Sequence, residues 1–127
     1  MSGPFESYDD VEDEHERLRA EDPGERRVAV ITLGHSGDPA AIGILAGMVS
    51  DVDPGVRQQV ALALGEFDGP ETAAALAKLL IDPESEVASA AADSMAELKD
   101  PACADAIVPL VTHAHAFVRM ASLRALK

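Results

Sequence analysis

Apolar and polar positions along this chain fall into short stripes of helical spacing, interrupted at regular intervals by Asp-Pro and Gly-Pro pairs. Between residues 56 and 80, Val56, Val60, Leu64 and Phe67 form one stripe and Ala73, Leu76, Leu79 and Leu80 a second, with Gly69 and Pro70 between them. Recurrence at three- and four-residue steps predicts two amphipathic helices joined by a turn, a helical hairpin. The hairpin returns every 31 residues with no gap at its anchor positions. Val30, Ala61, Ala92 and Leu123 are one such series, and Leu33, Leu64, Met95 and Leu126 another. Leu45, Leu76 and Ile107, then Met48, Leu79 and Leu110, follow the same step in the second helix of each hairpin. Self-similarity at a fixed period is the sequence signature of a repeat array, whose units bury their apolar faces only by stacking on one another.

The punctuation repeats with the stripes, as Pro39, Pro70 and Pro101 and as Gly34 and Gly65. Asp-Pro pairs at 22–23, 38–39, 53–54, 82–83 and 100–101 are expected to open helices. The Asp carboxylate accepts from free backbone N–H groups, and a proline at the first helical position gives up a donor that would have no partner. First helices are predicted at about 24–35, 54–67, 84–98 and 116–127, and second helices at about 39–50, 70–81 and 101–112. Residues 1–21 form an acidic segment in which a capping helix is expected at about 5–20, because Val11 and Leu18 fall one period before Ile42 and Val49. The fold class is therefore all-α, an α-solenoid of antiparallel helical hairpins. It has three and a half repeats over residues 22–127, in units of about 22–52, 53–81, 82–113 and 114–127, plus the N-terminal helix.

The motif Asp53-Pro54-Gly55-Val56-Arg57, with Ala63-Leu64-Gly65 and Gly69-Pro70, resembles the HEAT-like repeats of the phycobilisome-lyase type, and the likeness extends over residues 22–127. The resemblance implies stacked hairpins whose second helices line a concave face. It also implies two kinds of role: an adaptor for a partner protein, or a subunit of an enzyme that attaches or isomerises a bilin chromophore. A shared fold does not choose between them.

Composition narrows the field. Of the 127 residues 47% are apolar but only 3% aromatic, with no Trp, so the core must be aliphatic and alanine-rich, which suits close helix packing. No stretch reaches the length of a membrane span, and the acidic N-terminus is unlike a signal peptide, so a soluble cytoplasmic protein is expected. The formal charge is −13, and residues 1–25 carry ten acidic residues against Arg17 and Arg19. Such acidity opposes a phosphate backbone and argues against nucleic acid as a ligand. Only three of the ten basic residues are lysines, Lys78, Lys99 and Lys127, an acidic and lysine-poor balance like that of proteins kept soluble at high salt.

Catalytic and metal chemistry find little purchase. His35, His113 and His115 do not recur with the period and His15-Glu16 lies in the acidic segment, so the repeated ligand pairs of a di-metal centre are missing. Cys103, the single cysteine, aligns with Ala41 and Thr72 and reads as a small packing residue. No catalytic residue, cofactor or metal is expected, and the chain reads as a non-enzymatic scaffold. Arg26, Arg57 and Arg119 lie whole periods apart, interrupted by Ala88, and are expected to pair with Asp residues in a ladder that fixes the stacking of units.

Two interaction surfaces follow from the pattern. The non-core positions of the second helices, Ala40, Gly43, Ile44 and Gly47, then Glu71, Ala74, Ala75 and Lys78, then Ala102, Asp105, Ala106 and Pro109, form a strip that is small and apolar in a chain that is 26% charged. A partner's helix or extended segment is expected to dock there. At the C-terminal edge, Phe117, Met120, Leu123 and Leu126 are expected to be open to a partner or to a homodimer.

Overall fold

A computed structural model describes residues 16–98, 101–113 and 116–126, with the backbone alone at Ala102 and Phe117. The expected N-terminal capping helix lies almost wholly outside the described residues. Seven α-helices follow: α1 (Pro23–Gly34), α2 (Ala40–Ala46), α3 (Pro54–Leu64), α4 (Pro70–Leu80), α5 (Ser85–Leu98), α6 (Pro101–Ile107) and α7 (Ala116–Leu126). A 3₁₀ turn, Val108–Thr112, extends α6, and no strand occurs among the described residues. The first helices α1, α3, α5 and α7 pack in succession as one layer, and the second helices α2, α4 and α6 as the other. The array of hairpins read from the period is present.

The anchor series of α1 to α6 form the core, with Met48 and Leu110 partly buried, whereas Leu123 and Leu126 of α7 are exposed. Leu45, Leu64, Leu76, Leu79, Leu80, Met95 and Ile107 are fully buried, together with Val30, Val56, Val60, Val87 and Val118. Alanines fill the gaps between them, so neighbouring helices approach closely. The tightest places are Gly34 and Gly65. A Cβ on Gly34 would stand 2.8 Å from the Ala63 Cβ and 3.0 Å from its Cα, and one on Gly65 would stand 2.7 Å from the Ser94 Oγ. Ala63 and Ser94 are themselves one period apart, so the same glycine-to-small-residue contact joins α1 to α3 and α3 to α5. Ser94 adds a buried hydrogen bond, its Oγ donating to the Ala61 carbonyl at 2.8 Å.

Three expectations about the helix ends need correction. Asp53 caps α3 through Oδ2, which accepts from the Val56 N–H at 3.0 Å, and Asp38 Oδ1 accepts from the Ala40 N–H. Asp22 takes the N-cap position of α1 without a side-chain cap bond. Asp82 opens no helix, for α5 begins at Ser85. One period back, Asp82 aligns with Asp51 rather than with the cap residue Asp53, and Asp100 lies outside the described residues. The second helices are also shorter than their stripes. α2 stops at Ala46, where Gly43 and Gly47 lower helix propensity, and Pro109 has no N–H to continue α6, which tightens into the 3₁₀ turn. Gly69 holds φ at 106° before Pro70, a conformation that favours glycine, and starts α4 without a capping side chain.

Candidate interaction surfaces

The arginine ladder is the most regular feature of the surface. Arg26 donates through Nε and an η nitrogen to the two carboxylate oxygens of Asp51, at 3.0 and 3.1 Å, and reaches back to the Ala20 carbonyl at 2.7 Å. Arg57 repeats both contacts one period on, with Asp82 at 2.7 and 3.1 Å and the Asp51 carbonyl at 2.7 Å. Asp51 therefore serves two rungs, its carboxylate holding Arg26 and its carbonyl holding Arg57. Arg119 repeats the backward reach, to the His113 carbonyl at 2.9 Å. The rung between them is replaced at both ends together, Ala88 standing for the arginine and His113 for the aspartate. The hydrogen bond to Asp51 or Asp82 raises each arginine above its ordinary range; burial opposes this and neighbouring carboxylates add to it. The stability these arginines contribute is complete below their unfolded-state value and is lost only as pH rises through the higher folded-state one, in strongly alkaline solution.

The strip on the second helices is only partly a surface. Ala40, Gly43, Gly47, Glu71, Ala74, Lys78, Asp105 and Pro109 are exposed, while Ile44 and Ala106 are half-buried against the core. Ala75 is buried and belongs to the core. Its equivalents Ile44 and Ala106 lie on α2 and α6, whereas α4 is flanked by both of those helices and is covered from two sides. Ala75 is thus removed from the expected docking positions, and the side chain of Ala102 lies outside the described ones.

Larger apolar groups lie on the outer face of the first helices, which the sequence pattern did not single out. Val28, Ile31 and Leu62 are exposed there, Ile31 and Leu62 by 41% and 43% although they sit one period apart. Both line a shallow groove of about 220 Å³ between α1 and α3, with Gln59 and Glu66. Leu62 also lines a neighbouring groove of about 470 Å³ that runs over α5 to α7, with Gln58, Ser89, Asp93, Met120 and Arg124. Met120 is 70% exposed at a position held by Arg27, Gln58 and Ser89 in the other units. At the places equivalent to Ile31 and Leu62, Asp93 and Arg124 form an exposed ion pair at 3.2 Å. The period exposes this face: lining up Arg27, Gln58, Ser89 and Met120 reveals one apolar residue in an otherwise polar series.

At the C-terminal edge, Leu123 and Leu126 are 56% and 39% exposed. Their equivalents in the earlier units, Val30, Ala61 and Ala92, and Leu33, Leu64 and Met95, are all buried. The side chain of Phe117 lies outside the described ones. Cys103 is buried. Among the described residues no group of three or more His, Cys, Asp and Glu could hold a metal ion, and no helix is long and apolar enough to cross a membrane.

The structure is similar to the crystal structure of an engineered protein from the Northeast Structural Genomics Consortium, at 27% identity and a TM-score of 0.61. The likeness takes in 92% of this chain and 61% of the engineered one, so this chain spans under two thirds of that protein's length. A search of the curated proteins found no match in sequence. Residues 14–94, well over half of the chain, match the family described as HEAT repeats. With a period of 31, two helices per unit and buried anchor series along both layers, the chain belongs to the HEAT-repeat family.

Proposed function

We propose that this chain is a non-enzymatic scaffold that holds a segment of a partner protein across the outer face of its first helices, the segment presenting basic residues beside aliphatic ones. The observation that carries the reading is the pair Ile31 and Leu62: exposed, one period apart and lining a common groove. Aliphatic side chains in the open grooves between helices suit an apolar anchor on the partner. The surrounding charge selects the rest, since Glu66 and Glu86 border the two grooves, Asp93 being paired with Arg124, and residues 26–112 carry thirteen acidic residues against five basic ones.

The small-residue strip of the second helices supports a second reading, because exposed Ala40, Gly43, Gly47 and Ala74 would let a partner backbone approach closely. A place among the phycobilisome-lyase type of HEAT-like repeats rests on the Asp53–Arg57 motif, and with it a role in handling a bilin. That role would want cations and aromatic rings for the propionates and pyrroles, and the strip holds a single cation, Lys78.

Selection of binders from a random peptide library separates these readings. Retained sequences are expected to combine Leu, Ile or Val with Arg or Lys, and to lose binding at least tenfold to the variant Ile31→Glu, Leu62→Glu while keeping it to Ile44→Glu, Ala74→Glu. Binding that follows the second variant instead would move the site to the strip. An acidic consensus would overturn the charge argument, and a shifted visible absorbance of an added bilin would favour the chromophore role.

A further inference from the structure

Arg124 is held differently from Arg26 and Arg57. Those two each meet both oxygens of a carboxylate, with side chains only 12% and 13% exposed. Among the described residues Arg124 bonds through one η nitrogen alone, which donates to the Ser89 Oγ at 2.7 Å and to the Ser89 carbonyl at 3.1 Å. Both hydrogens of that nitrogen are thereby used. Asp93, with Oδ1 at 3.2 Å, is paired by charge but accepts no hydrogen bond among the described residues. The two side chains are 49% and 63% exposed, and a pair so open to water holds weakly. Glu86, Ser89 and Asp93 follow at three- and four-residue steps on one face of α5, and all three line the groove of about 470 Å³ to which α3 contributes Leu62.

We propose that Arg124 occupies, within the chain, the place that an arginine of the partner takes, and so competes with the partner for Ser89 and Asp93; this rests on the outer face being the docking surface of an aliphatic and basic segment. A guanidinium arriving from solvent can turn its planar fork to Asp93 and supply the two-point contact that Arg26 and Arg57 make with their own carboxylates. The fork selects arginine over lysine, whose ammonium is a point charge. Leu62 and Asp93 are one repeat apart, on neighbouring helices whose axes lie about 8–10 Å apart. An extended segment, at about 3.3 Å per residue, that sets an aliphatic side chain on Leu62 therefore brings its arginine to Asp93 about three residues away.

Titration of the full chain with the capped peptide acetyl-Leu-Ser-Ser-Arg-Ser-amide and with its glutamine counterpart, followed by backbone amide chemical shifts up to millimolar peptide, tests this. Arg124→Gln is expected to bind the arginine peptide about three- to tenfold more tightly than wild type and the glutamine peptide no more tightly. Asp93→Asn added to Arg124→Gln should abolish that gain. Arg124→Lys, which keeps the charge and loses the fork, should show a smaller gain, and helical circular dichroism should be unchanged in all three. Equal affinity of wild type and Arg124→Gln, with binding still lost in Leu62→Glu, overturns the competition and leaves the docking face standing. Weaker binding by Arg124→Gln also overturns it, because Arg124 would then hold the peptide itself. Binding to neither wild type nor any variant overturns both the competition and the docking face.

Discussion

Among single residues, the ladder arginines carry the most consequence. Arg57 is held by two oxygens of Asp82 and by the Asp51 carbonyl, with both side chains largely removed from water. Arg57→Ala leaves Asp82 without its partner and is expected to cost about 2 kcal/mol, read as a lower urea midpoint. The replaced rung offers the converse test. Ala88→Arg together with His113→Asp should raise stability by about 1 kcal/mol, whereas each change alone should not, and a double-mutant cycle measures the coupling. Equal and additive effects would mean that the third interface does not have the geometry of the first two. The arginine series was legible from its spacing alone, but which aspartate each would meet was not. Asp82 reads in sequence as one more Asp-Pro cap, and only the fold brings it to Arg57, 25 residues away.

For the helices, the fit of one first helix on the next is set by backbone approach. Gly34→Ala must push the Ala63 Cα as well as its Cβ, and a backbone atom has nowhere cheap to go. Overpacking of this kind costs about 2 kcal/mol, partly offset by the lower entropy of the unfolded alanine chain. Two periods after Gly34 and Ala63 the sequence places Ala96 and Ala125, so Ala96→Gly is expected to give no comparable gain. A Gly34→Ala protein as stable as wild type in urea would mean that α1 can shift along α3. The existence and order of the helices were legible because stripe and breaker agree in each unit, even where, as at Asp82, the expected cap does not form. Their ends were less so: the stripe continues through Met48 and Val49 although α2 stops at Ala46, since apolar spacing does not register two glycines that loosen the turn.

The molecule as a whole has to contain a charge of −13 in a small array. Mutual repulsion lowers the stability of the compact state and is relieved by screening. The protein is therefore expected to melt several degrees higher in molar salt than at low ionic strength. A flat or falling melting temperature would show that the charges, most of all those of residues 1–25, are already far enough apart in the folded chain not to repel. Because Arg26 and Arg57 titrate only at strongly alkaline pH, their protonation should contribute nothing to the pH dependence of stability near neutrality.

By itself the sequence determined the architecture, because a repeat writes the same burial instructions four times and every anchor position is checked by its copies. It also determined the acidity, the aliphatic core and the places where arginine recurs. Tertiary structure alone decided which of the equivalent positions are covered. Ile44, Ala75 and Ala106 are one position in the repeat, yet only Ala75 is enclosed, for α4 has a second helix on either side. Ala92 and Leu123 are likewise one position, buried in α5 and open in α7. Periodicity describes a unit, whereas burial depends on the neighbours that the unit meets.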